Sequence, residues 1–257
     1  MLTKRTIFIA QQVSVLIGII VLIAAMLFQA GSYVYAQSRQ NSYELFSDAI
    51  LKGRADRLRQ LLTSGLDPNV TDKDGESVLM LAIRVEAVDM VRLLLKGNAN
   101  VSAKSKEGVT PLILACLLNN IEIVRLLLGG EIDINAQDNS GDTALFKAAM
   151  YGYPDMVYDL VQKGAKVNVS NSDDVTPLML AHTQNVLTLL KAGANVNSID
   201  SNGSSALIFA IKQRRLEKIF ALIEWGADVN LRSFDGKSPL KWAKEEQFPK
   251  AIEYMEN

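Results

Sequence analysis

The chain has 257 residues, 27 Lys and Arg against 28 Asp and Glu, a net charge of −1, one Cys and one His. Near balance argues against the basic footprint of a nucleic-acid-binding protein, and Cys116 with His182 cannot supply the three or four ligands of a zinc site. The single Cys forms no internal disulfide, and a Ser-His-Asp arrangement would have to use His182, around which no nucleophile turn occurs.

Residues 1–5 are short and basic through Lys4 and Arg5. Residues 6–28 follow without a charge, long enough as a helix to span about 34 Å, against a bilayer core of about 30 Å. Gln11 and Gln12 weaken the first half, and Tyr33 and Tyr35 stand where interface aromatics belong. Three readings meet here. The segment is an uncleaved transmembrane signal anchor, a signal peptide cleaved after Ala36, or a buried core helix. The length of the apolar run favours the anchor, while Val34 and Ala36 place small residues where a peptidase reads them. Lys4 and Arg5 hold the N-terminus in the cytoplasm under either membrane reading, so the remainder is expected on the far side. The absence of a disulfide-rich or glycosylation-rich pattern points to the bacterial periplasm and an inner-membrane protein. Residues 29–43 are a tether.

From residue 44 the chain repeats a phrase. It reads Asp74-Gly75-Glu76-Ser77-Val78-Leu79, Glu107-Gly108-Val109-Thr110-Pro111-Leu112, and Ser140-Gly141-Asp142-Thr143-Ala144-Leu145. It returns as Asp174-Val175-Thr176-Pro177-Leu178, as Asn202-Gly203-Ser204-Ser205-Ala206-Leu207 and as Asp235-Gly236-Lys237-Ser238-Pro239-Leu240. The turn positions 75, 108, 141, 174, 203 and 236 differ by 33, 33, 33, 29 and 33. Leucine recurs at 79, 112, 145, 178, 207 and 240, and alanine three residues later, where a small side chain lets neighbours approach. Pro154 and Pro249 suit helix starts, and Gly65, Asn98, Gly164, Gly193 and Gly226 suit left-handed caps. Glu131 at that cap predicts strain, unless Gly129 and Gly130 take the turn. The 29-residue step predicts that the fifth unit's second helix, around Asn185 to Leu190, has lost a turn. Residues 44–69 form a first unit lacking the opening phrase, charged as an end unit facing water.

A step of 33 with Thr-Pro-Leu openings resembles the ankyrin-repeat family. The resemblance implies an all-α solenoid of about seven helix-turn-helix repeats with β-hairpin fingers over residues 44–257, here preceded by one N-terminal transmembrane helix. The family's usual His after Thr-Pro-Leu is replaced by Met80, Ile113, Phe146, Met179, Ile208 and Lys241, so apolar packing replaces a polar tie.

The resemblance implies a protein partner met by finger tips and the ends of first helices, with no catalysis, cofactor, nucleic acid or small-molecule substrate. Carried over residue by residue, it gathers Val85, Val109, Leu117, Leu118, Met150 and Tyr151 on three adjacent repeats of the concave face, with Phe234 at a separate finger tip. An apolar cluster where solvated loop ends should be polar reads as a protein contact with Tyr151 as anchor. The alternative is that these side chains fold back onto a neighbouring repeat. The lipid bilayer is the second expected partner, through residues 6–28. Cys116 and His182 read as structural, and Trp225 and Trp242 as facing each other in adjacent repeats.

Overall fold

The computed structural model describes residues 40–256. The basic tail, the predicted membrane span, the cleavage site after Ala36 and most of the tether lie outside the described residues. Among the described residues no helix is long and apolar enough to cross a membrane.

The described chain forms seven helix pairs. They are α1 (residues 40–51) with α2 (Ala55–Thr63), α3 (Val78–Arg84) with α4 (Val88–Lys96), α5 (Pro111–Leu117) with α6 (Ile121–Leu127), and α7 (Ala144–Tyr151) with α8 (Pro154–Gln162). Then come α9 (Pro177–Leu180) with α10 (Thr183–Lys191), α11 (Ala206–Lys212) with α12 (Leu216–Glu224), and α13 (Pro239–Glu245) with α14 (Pro249–Glu256). First helices pack on first helices and second on second, giving two layers. The first helices meet through the alanine column, in which Ala82, Ala115, Ala148, Ala181, Ala210 and Ala243 are all fully buried. Small side chains let neighbouring first helices approach closely, and the first-helix layer is termed the inner face.

Local chemistry explains five of the first-helix starts. Ser77, Thr110, Thr143, Ser205 and Ser238 each accept a hydrogen bond from the backbone N–H three residues on, satisfying a donor at the helix start. Met80, Ile113, Phe146, Met179 and Ile208 are buried at 0–2% exposure, so apolar packing does replace the family's polar tie; Lys241, in the last repeat, faces water.

The structure corrects four expectations. The fingers are not β-hairpins: the described residues contain only two isolated bridges, Thr71 with Ser77 and Ile199 with Ser205. Their N–H groups go elsewhere, because Asp72, Asp138, Asn171 and Asp200 each use one side-chain oxygen to accept two of them within the turn. One N–H per finger instead reaches the preceding finger: Lys106 to Asp74, Asn139 to Glu107, Ser172 to Ser140, Ser201 to Asp173 and Phe234 to Asn202, at 2.9–3.0 Å. Second, the fifth repeat lost its turn from the first helix: α9 has 4 residues while α10 keeps 9. Third, the strain expected at Glu131 is absent: the Gly129–Gly130 pair takes the turn, as the alternative reading has it, with neither glycine nor Glu131 left-handed. Helix α6 stops early, and the N–H groups of Gly129 and Gly130 reach the carbonyls of Leu126 and Leu127 at 3.3 and 3.2 Å. Fourth, Trp225 caps α12 in the outer layer and Trp242 lies on α13 in the inner layer; no ring contact joins them.

Candidate partner-binding face

The 33-residue period turns sequence into geometry, because equivalent positions line up as columns across the inner face. One column at the ends of first helices holds Val85, Leu118 and Tyr151; beside it run Arg84, Leu117 and Met150. Val85 is 41% exposed and Tyr151 is 50% exposed. Leu117, Leu118, Val109 and Met150 are half-buried, and the first three pack against the core. The six residues therefore share one face, as two exposed knobs on a half-buried apolar floor. The packing that the second reading expects holds for Val109, Leu117 and Leu118. Phe234 stands apart in the seventh repeat at 74% exposure, with its ring laid over the Gly203 turn.

Sequence reasoning missed Leu51, which stands 33 residues before Arg84 in the same column and is 62% exposed. The missing signal was the same period stepped back into a first repeat that lacks the opening phrase. A second missed column, Leu81, Leu114, Lys147, Leu180, Phe209 and Trp242, forms the floor of the inner face. Lys147 is the polar exception. Its ammonium pairs with Asp138 at 3.4 Å and with Asp142, which also accepts from Asn171 at 3.0 Å. Burial alone would lower the Lys147 pKa, but the hydrogen bond and charge of Asp142, with those of Asp138, hold it above the ordinary value. The tryptophan at the far end lies between two cations, Lys212 at 4.1 Å and Lys237 at 4.3 Å from its ring.

The finger charges are largely engaged. Lys106 pairs with Asp74 at 3.3 Å and Lys104 donates to the Gln137 carbonyl at 2.8 Å. Asp138 and Asp200 hold their own turns, leaving Asp173 and Asp174 exposed.

The columns break at the fifth repeat, where the short α9 has no residue equivalent to Met150 or Tyr151. His182 stands exposed at the start of α10, and its backbone N–H donates to the Ala149 carbonyl at 3.0 Å. Beneath the break two polar side chains occupy a core column that holds Met90, Ile123 and Met156 in the second to fourth repeats. Asn185, fully buried, donates to the carbonyls of Ala148 and Ala149 at 3.3 and 3.2 Å. Lys218, also fully buried, donates to those of Met179 and Ala181 at 2.9 Å each. A truncated helix exposes carbonyls that no following turn can satisfy, and Lys218 reaches them from the next repeat. Burial, then the charge of Arg215, pushes the Lys218 pKa down to about 7. Cys116 is fully buried, and burial pushes its thiol up to about 12. Among the described residues no group of three or more His, Cys, Asp or Glu is placed to hold a metal.

Known proteins share this architecture. The crystal structure of the ankyrin repeat domain of Bcl-3, a member of the IkappaB protein family, superposes with a TM-score of 0.75 at 26% identity, covering 83% of this chain and 98% of that one. The fowlpox virus ankyrin repeat protein FPV031 is 36% identical over 95 residues, 34% of this chain and 28% of the relative. Human ankyrin repeat and SOCS box protein 6 is 37% identical over 95 residues, 32% of this chain and 23% of its own. The matched segments are thus about a quarter of these relatives. A family profile described as ankyrin repeats in 3 copies matches residues 46–138, 130–200 and 145–233. With profile, periodicity and helix-pair architecture in agreement, the chain belongs to the ankyrin-repeat family.

Proposed function

We propose that this chain is a binding protein without catalysis, held at a membrane by residues 6–28 and displaying its array on the non-cytosolic side, in a bacterial periplasm. The observation that carries the binding reading is the apolar cluster on the inner face, with Val85, Tyr151 and Leu51 exposed above half-buried Leu117, Leu118 and Met150. Exposed aromatic and aliphatic side chains grouped on one rigid face are what a protein partner covers on binding. Anchoring would concentrate the array near one bilayer, which suits capture of a membrane complex or masking of an incoming toxin as an inhibitor or immunity protein.

The support for the anchor is the uncharged run 6–28 behind Lys4 and Arg5. Carbonate extraction and protease shaving of spheroplasts test it. The proposal expects the chain to stay in the membrane and its array to be digested from outside. A soluble, cytosolically protected chain would contradict it. Val34 and Ala36 favour a second reading, a secreted array released after Ala36, which a mature N-terminus at Gln37 would establish.

A further inference from the structure

The outer face carries a column with no role in the binding reading above. Stepping by 33, 33, 33, 29 and 33 from Arg59 gives Arg92, Arg125, Tyr158, Leu187 and Phe220, all on second helices. The three arginines face water and pair with Asp56, Glu122 and Asp159 at 2.6, 3.0 and 2.7 Å. From the fourth to the sixth repeat the column turns apolar, and its last position, Glu253 on α14, is charged. Tyr158 is 56% exposed and Leu187 is 48% exposed, while Phe220 packs at 4.2 Å between ring centres against Tyr254, itself 37% exposed. Tyr158 and Leu187 stay open to water, whereas Tyr254 partly covers Phe220.

Charges flank the stripe in two rows, and their order names an occupant. At the far ends of the second helices Lys191 on α10 is followed by Glu224 on α12; at the near ends Asp155 on α8 leads to Lys250 on α14. All four are exposed, and none makes an ion pair with a described residue. A twofold axis parallel to the helices, passing between α10 and α12, exchanges the two sides of the stripe and keeps near ends near. It sets Leu187 against the partner's Phe220 and Tyr158 against the partner's Tyr254. It also sets Lys191 opposite the partner's Glu224 and Asp155 opposite the partner's Lys250, each contact occurring twice. We propose that a second copy of this chain covers the stripe as an isologous dimer about that axis. Four helices at spacings of about 10 Å make the stripe about 30 Å long, and helices of nine residues make it about 13 Å wide. That is about 400 Å² per copy, or about 800 Å² in total, below the size of a stable interface, so the dimer is a weak, transient one that forms at high protein concentration. It leaves the inner face free.

The test is sedimentation equilibrium of the purified full chain, with bound detergent matched out, alongside Leu187→Ser, Lys191→Glu, Glu224→Lys and the double charge swap. All these positions are exposed, so unchanged thermal midpoints serve as the folding control. The proposal expects twice the 28.2 kDa chain mass for the wild type. It expects association about tenfold weaker for each single variant, since each change is felt twice in the dimer, and recovery in the double swap. A monomer throughout overturns it. So does a dimer indifferent to every substitution, which would place association elsewhere, as at residues 6–28. A double swap no better than the single reversals likewise overturns the proposed axis.

Discussion

Lys218 is the residue on which the fifth repeat turns. Its ordinary pKa of 10.5 falls to about 7 on burial, so between those values the native state holds fewer protons than the unfolded chain. Unfolding then takes up a proton, and this group makes stability rise with pH from about 7 to 10.5 and leaves it flat below. Replacing it by the residue the column holds at Met90 and Met156, as Lys218→Met, removes that slope but orphans the carbonyls of Met179 and Ala181. Urea midpoints from pH 6 to 10 should climb for the wild type and lose this contribution in the variant. Equal slopes would show that Lys218 is not the titrating group. Cys116 makes a simpler case. Full burial and a thiol pushed up to about 12 keep it unreactive, so a thiol reagent should label the folded protein only at the rate of its opening.

At the scale of elements, the finger ladder sets how closely repeats stack. Gly141, at φ +79°, would bring a Cβ within 2.7 Å of the Ser172 N–H nitrogen in the next finger, whereas Gly236, at φ +77° in the last finger, has open space. Gly236→Ala should cost only the left-handed strain, about 1 kcal/mol, and Gly141→Ala clearly more, about 2–3 kcal/mol, because the ladder must part. Equal losses in thermal midpoint would show that the ladder does not set the spacing. The period, the caps and the alanine column were legible because each follows from a side chain's own chemistry. The missing turn was misplaced because a 29-residue step counts residues without saying which helix gave them up. The deciding clues were Asn185 and Lys218, polar residues at a position that the second to fourth repeats fill with Met and Ile. They make sense only once the carbonyls they serve are seen. The fingers' departure from hairpin form follows equally from Asp72 and Asp138, whose carboxylates compete for the N–H groups a hairpin would need.

For the whole molecule, the two layers present surfaces of different character. The inner face is an apolar floor with exposed knobs, interrupted at the fifth repeat and ending on Trp242 between Lys212 and Lys237. The outer face runs from paired arginines to aromatics. The inner cluster was partly legible, since helix ends fall at fixed offsets from each turn. Leu51 was not, because the first repeat lacks the phrase that sets the offset. The division into exposed Val85 and Tyr151 over half-buried Leu117 and Leu118 depends on neighbouring repeats and cannot be read from one. That division also chooses the mutations: a charge at Leu117 would disturb the core, while Val85 and Tyr151 can be changed with the fold intact.

The central claim is that the inner face binds a protein. The direct measurement is quantitative recovery of co-purifying proteins from solubilised native membranes, comparing tagged wild type with the Val85→Glu, Tyr151→Glu variant at matched thermal midpoints. The account predicts a partner held by the wild type and weakened at least 30-fold in the variant, as expected for removing hot-spot side chains of about 2 kcal/mol or more. A partner retained equally by both proteins would contradict it.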